Sequence, residues 1–217
     1  MKVYQYNEEE LTLIKGFDQI NHNFWSIKKN ELAPLRKNLR VHYVPLQNYR
    51  CCYCKMLKQE IHGSTWDIEH IVPKALYPHF MFEHLNLCIS CKTCNNYKLE
   101  SNVFVNNKKY KVYPKSSKTY KIIHPHFDKY SDHMEVKIHP NGHITHNAKT
   151  QKGVETFKSC NLFRFTLLAN GSESLDMDLY NKFSNLIGNS DKVSADTAKA
   201  FFKASLAQIL PPEEINC

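Results

Sequence analysis

Cys51-Cys52-Tyr53-Cys54 and Cys91-Lys92-Thr93-Cys94 are the two stretches that decide how this chain folds. Each holds a C-x2-C pair, a spacing at which one tight turn can offer two thiolates to a single ion. Two such turns complete a tetrahedral four-cysteine site, the closed arrangement of structural zinc. The 36 residues between Cys54 and Cys91 are more than a simple zinc ribbon needs, so a folded element must lie between the knuckles. Ligand choice is open on paper, because Cys52 adjoins the first pair and Cys88 precedes the second by three residues. The preferred set is Cys51, Cys54, Cys91 and Cys94, with Cys52 and Cys88 as small buried residues. Of the eight cysteines, only Cys160 and Cys217 fall outside this region.

Between the knuckles runs Trp66-Asp67-Ile68-Glu69-His70-Ile71-Val72-Pro73-Lys74. Ile68, Ile71 and Val72 are apolar enough to anchor a short strand, and Pro73 stops it. A carboxylate therefore sits directly beside an imidazole. Asn86-Leu87 follows, and Asn95-Asn96-Tyr97-Lys98 comes immediately after the last knuckle cysteine. Taken singly, each residue has an ordinary explanation. Glu69 reads as a surface carboxylate, His70 as a core histidine, and the asparagines as turn or cap residues. Their order relative to the knuckles argues otherwise.

In that order, C-x2-C, acid-His-Ile-Val-Pro, Asn-Leu and C-x2-C-Asn-x2-Lys, residues 50–100 resemble the HNH endonucleases of the zinc-knuckle ββα-metal branch. The resemblance implies that His70 is the general base and that Glu69 and Asn95 hold one catalytic Mg2+ or Mn2+. It implies that Asn86 steadies the loop and the imidazole. Many members carry Asp or His where Glu69 stands, so Asp67, two residues back on the same strand face, is the reserve ligand. These residue types suit phosphodiester cleavage. A neutral imidazole near pH 7 can accept a proton from water, and a hard cation on oxygen ligands can stabilise developing charge. Lys74 and Lys98 flank the site as expected phosphate contacts.

Outward from this centre, the expected architecture is α+β. A central ββα-metal HNH module with a four-cysteine zinc site is flanked by N- and C-terminal helices and a small β-hairpin. The expected division is an N-terminal helical segment (1–45), the nuclease module (46–105) and a basic extension (106–217). Leu11, Ile14, Phe17 and Ile20 recur near one helical face, and Leu32, Leu35 and Leu39 suggest a second run that Pro34 interrupts. Residues 103–123 read as extended or loop chain. There Lys108, Lys109, Lys111, Lys115, Lys118 and Lys121 interleave with Tyr110, Tyr113 and Tyr120, as a solvated face or a track for DNA phosphates. Met134, Val136 and Ile138 alternate with polar residues, and Pro140-Asn141-Gly142 turns the chain toward a partner strand through Ile144. Apolar stripes on Leu175, Leu179, Phe183 and Leu186, and on Ala198, Phe201, Phe202, Leu206 and Ile209, predict two core helices, the second capped by Ser194 and ended by Pro211.

Residues 120–168 carry Ile123-His124-Pro125, Asp128-Lys129-Tyr130, Lys152-Gly153 and Asn161-Leu162-Phe163-Arg164. This run looks like the extension that follows the HNH module in PtuB-like nucleases of bacterial anti-phage systems, the Septu and retron-associated type. That resemblance implies an ATPase partner subunit, with the helical flanks 8–40 and 175–210 as docking surfaces. His84 is the best accessory phosphate contact among the other module histidines.

Bulk properties agree with this reading but do not establish it. The formal charge of +8 suits a polyanionic partner such as DNA. The start, MKVYQYNEEE, lacks a signal-peptide pattern, and no apolar run reaches the ~18 residues that span a bilayer. The expectation is a cytoplasmic protein with reduced cysteines and no membrane association. One active site per chain implies a nick, and a double-strand break needs a homo-oligomer or repeated events. The alternative is a non-catalytic zinc-stabilised module that binds nucleic acid or protein. It would keep the knuckles but has no use for Glu69, His70 and Asn95.

Overall fold

In a computed structural model of the chain, residues 1–140 and 142–165 are described. The two C-terminal stripes and the Ser194 cap lie outside the described residues. The architecture is α+β, with two separate two-stranded antiparallel sheets among short helices.

Three helices precede the first strand, in place of the longer helical run read from the stripe. Helix α1 (Glu8–Lys15) starts at a capping box. The Asn7 carboxamide accepts from Glu10 N at 2.9 Å, and the Glu10 carboxylate accepts from Asn7 N at 3.0 Å. Gly16 ends it, and the Asp18 carboxylate then accepts from Ile20 N and Asn21 N, folding the chain into a turn. Ile20 therefore leaves the helical face and is 77% exposed, while Phe17 stays in the core. Helix α2 (Phe24–Ile27) is a single turn. Helix α3 (Ala33–Leu46) carries Pro34 in its first turn, so this proline starts a helix where an interruption was expected. Leu32, Leu35, Leu39 and Tyr43 form its buried stripe.

Strand β1 (Trp66–His70) pairs in antiparallel register with β2 (Leu87–Cys91), Trp66 opposite Cys91 and His70 opposite Leu87. Helix α4 (Lys92–Lys98) follows β2 without a loop, giving a ββα unit. Both α3 and α4 rest on this sheet. Gln47, just past α3, locks the two layers together. Its carboxamide accepts from Ile89 N and donates to Ile89 O, both at 2.8 Å, as a neighbouring strand would. The long β1–β2 connection carries 3-10 turns at Pro78–Phe80 and His84–Asn86.

Residues 103–123 are irregular chain whose tyrosines point inward. Tyr113 and Tyr120 are buried with Phe80 and Phe104, while Lys108, Lys109, Lys111, Lys115 and Lys118 are exposed. Helix α5 (Tyr130–His133) leads into the hairpin of β3 (Met134–Ile138) and β4 (Ile144–Ala148), as the alternation predicted. Gly142 takes φ 81° at its tip, a left-handed conformation that glycine reaches without strain. Helix α6 (Gln151–Ser159) is capped by Thr150 and returns against α5. Among the described residues, no helix is long and apolar enough to cross a membrane.

Candidate functional site

The four preferred cysteines converge. The Sγ atoms of Cys51, Cys54, Cys91 and Cys94 all lie within 4.8 Å of one another and are buried. A Zn–S bond of about 2.3 Å sets the corners of a tetrahedron about 3.8 Å apart. Cys54 and Cys91 stand at 3.8 Å. The donor set is all sulfur, which suits zinc, and the cluster can hold one zinc ion. Backbone amides point at the sulfurs, from Cys91 N to Cys51 at 3.3 Å and from Cys94 N to Cys91 at 3.4 Å. The second of these is also the N-cap of α4, so the knuckle itself launches the helix that carries Asn95 and Lys98.

The knuckle reading missed how the extension closes over this cluster. Arg164 Nη2 lies 3.1 Å from Cys94 Sγ, bringing a fixed cation to a site that would carry net negative charge. Tyr130 donates to the Tyr53 carbonyl at 2.6 Å, and His146 Nε2 meets the Cys54 carbonyl at 2.7 Å. The knuckle's buried carbonyls thus acquire partners from residues 77 and 92 positions away. No local pattern announces such contacts.

The residues singled out between the knuckles gather at one cavity of about 720 Å³, lined by Asp67, Glu69, His70, Lys74 and Asn95. His70 is held at two points. Its Nε2 lies 3.2 Å from the Met81 carbonyl, and the Trp25 ring meets it edge-on at 4.8 Å. A carbonyl can only accept, so Nε2 carries the proton and Nδ1 keeps its lone pair. Burial, reinforced by Lys74 and Lys98, brings the imidazole pKa down to about 3, so the ring is neutral at physiological pH.

Asp67 and Asn95 meet directly, Asn95 Nδ2 donating to Asp67 Oδ2 at 2.9 Å, with Lys92 on the other carboxylate oxygen at 2.9 Å. Glu69 is engaged differently. Its Oε1 accepts from Lys98 at 2.7 Å and from Tyr53 at 2.9 Å, and both members of the ion pair are 2% exposed. Burial, then the Glu69 charge, pushes the Tyr53 phenol up, so it stays a donor. Lys98, expected at a phosphate, is sequestered in this pair and also donates to the His70 carbonyl at 3.1 Å. Asn86 and Lys98 stand behind the cavity wall rather than in it.

Asn86 pins the loop that leaves β1. It accepts from Val72 N at 2.7 Å and donates to Val72 O at 3.1 Å and Phe80 O at 2.9 Å. It thereby fixes the carbonyl run that ends on Met81, the partner of His70. Behind it stands a buried chain from the extension. His126 N donates to His124 Nδ1, His124 Nε2 faces Tyr113 Oη at 2.9 Å, and Tyr113 donates to Asn86 Oδ1 at 3.3 Å. Other module histidines serve packing. His84 Nδ1 bonds the Tyr4 carbonyl at 2.6 Å, and His79 Nε2 bonds the Tyr110 carbonyl at 3.0 Å. His84, expected as an accessory phosphate contact, thus has its Nδ1 on the irregular chain that precedes α1.

Fold and site together define an α+β protein with a four-cysteine knuckle and, beside it, a cavity where a carboxylate, an asparagine and a neutral histidine meet. No family model and no solved structure matches the chain. Over 90 residues, 42% of its length, it is 31% identical to a Bacillus thuringiensis protein described as Septu protein PtuB. The match spans 31% of that relative, so the chain corresponds to under a third of it.

Proposed function

We propose that this chain is a metal-dependent HNH-type endonuclease that hydrolyses DNA phosphodiester bonds as an effector of bacterial anti-phage defence. The observation that carries the proposal is the fixed tautomer of His70. Its protonated Nε2 is spent on Met81, and its basic Nδ1 belongs to a ring that lines the same cavity as Asp67 and Asn95. In this reading Nδ1 takes the proton from the attacking water. Asn86 and the Met81 carbonyl hold the ring while it does so. Asp67, Glu69 and Asn95 offer the hard oxygen donors that Mg2+ or Mn2+ prefers, and Lys74 meets a phosphate oxygen. The ion would supply charge stabilisation on the phosphate and leaving oxygen. The Septu relative supports the defence context, and with it a partner subunit for this chain.

Plasmid cleavage by the purified zinc-loaded protein tests the proposal. With Mg2+ or Mn2+, wild type nicks or linearises the plasmid, and His70→Ala loses at least about 100-fold in rate while keeping its zinc and its circular dichroism. Equal cleavage by both proteins, or none in either metal, overturns it. One observation favours a second reading, a zinc module that binds without cutting. One oxygen of the Glu69 carboxylate, Oε1, is already held by the buried Lys98 and by Tyr53. That reading predicts DNA retention with no Mn2+ binding at the cavity.

A further inference from the structure

The cavity has a wall that belongs to neither strand nor knuckle. Helices α2 and α3 bring Trp25, Arg36 and Arg40 into its lining, together with Asp67 and His70. Arg36 and Arg40 are one turn apart on α3, about 6 Å along the helix axis, and so share a face. Arg36 is braced in place. Its guanidinium donates to the Trp25 carbonyl and stacks over the Trp25 ring at 4.7 Å, and Trp25 in turn packs edge-on against His70. Its Nε is buried and has no hydrogen-bond partner. With Nη2 on the Trp25 carbonyl and Nε buried, a guanidinium held by stacking keeps its charge fixed beside His70 and leaves Nη1 to meet a phosphate oxygen. The Arg40 guanidinium lies against Gly63, where an added Cβ would come within 3.2 Å of its Nη1. Among the described residues, no carboxylate forms an ion pair with Arg36 or Arg40; Asp67 is paired with Lys92 and Glu69 with Lys98.

We infer that Arg36 and Arg40 form a phosphate clamp, gripping two neighbouring phosphates of the nucleic-acid strand whose backbone enters the cavity beside His70. The N-terminal helical segment is then part of the substrate site. The inference rests on the nuclease reading and names the surface through which that site holds its substrate.

The test measures binding apart from cutting. Full-length zinc-loaded His70→Ala protein is titrated into fluorescein-labelled DNA of about 20 nucleotides, duplex and single-stranded, between about 50 and 200 mM salt. Fluorescence anisotropy gives the slope of log affinity against log salt. Adding Arg36→Gln and Arg40→Gln together lowers the slope by about 1.8 on duplex and about 1.4 on single-stranded DNA, the values for two lost phosphate contacts, whereas Lys137→Gln on the exposed hairpin leaves it unchanged. Because Arg36 also braces Trp25, two milder variants accompany the pair. Arg40→Gln alone, and Gly63→Asp, which sets a carboxylate against the Arg40 guanidinium, each lower the slope by about 0.9 on duplex and about 0.7 on single-stranded DNA. Unaltered slopes in all three, with zinc content and circular dichroism intact, overturn the clamp and leave the nuclease reading standing. Absence of any DNA binding by the His70→Ala protein overturns both.

Discussion

Lys98 and Glu69 face each other at 2.7 Å with each side chain only 2% exposed. Two charges taken from water repay their desolvation only when every remaining donor and acceptor is used. Here Tyr53 and the His70 carbonyl complete the arrangement. Removing one partner strands the other, so Lys98→Met is expected to lower stability by about 3–5 kcal/mol. Glu69→Gln combined with Lys98→Met restores most of that loss, because no lone charge remains. Urea unfolding of the zinc-bound proteins reads both values, and an unchanged midpoint for Lys98→Met would mean the pair is not buried in solution. The residue types at this site were legible in the order of the motif, but their partners were not. Nothing in Glu69-His70 says that Tyr53 and Lys98 take the carboxylate while Asp67 goes to Asn95. That choice is made when β1, the first knuckle and α4 close on one another.

Among the elements, the hairpin was readable from local alternation and turn chemistry, whereas the ββα unit came with the resemblance to the zinc-knuckle nucleases. Alternation sets β3, and the structure adds that Cys91 caps the start of α4. The N-terminal helices were less readable. A stripe from Leu11 to Ile20 reads as one face, yet Gly16 and Asp18 offer the backbone a turn that wins over helical spacing. Helix α6 depends on a contact that sequence alone does not reveal. A Cβ at Gly153 would collide with the His133 carbonyl at the end of α5. Gly153→Ala in an exposed helix ordinarily stabilises by about 1 kcal/mol, but here overpacking against backbone reverses the sign. The expected outcome is a loss of about 1–3 kcal/mol in denaturant unfolding. A gain would show that α6 stands off from α5.

The whole molecule buries several histidines in neutral form, and this gives its stability a pH dependence. Burial, with His126 next to it, brings His124 down to about 2, and burial brings His70 to about 3. An unfolded histidine titrates near 6.5, so below that pH the unfolded chain binds protons that the native state refuses. Stability is therefore fully present above about pH 6.5 and falls as the pH drops from there toward the folded values. Thermal unfolding at saturating zinc should show that fall. His124→Gln should flatten it by up to about 1.4 kcal/mol per pH unit below pH 6, and an identical slope would show that His124 is protonated when folded. By itself the sequence determined the four-cysteine knuckle, the acid–histidine strand and the hairpin, because thiolate spacing, alternation and turn chemistry act over a few residues. Only the tertiary structure decided which carboxylate faces Asn95, what holds His70 in one tautomer, and that α2 and α3 wall the cavity. Those outcomes depend on contacts between residues far apart in the chain, where burial and hydrogen-bond satisfaction select the partners and local pattern carries no information about them.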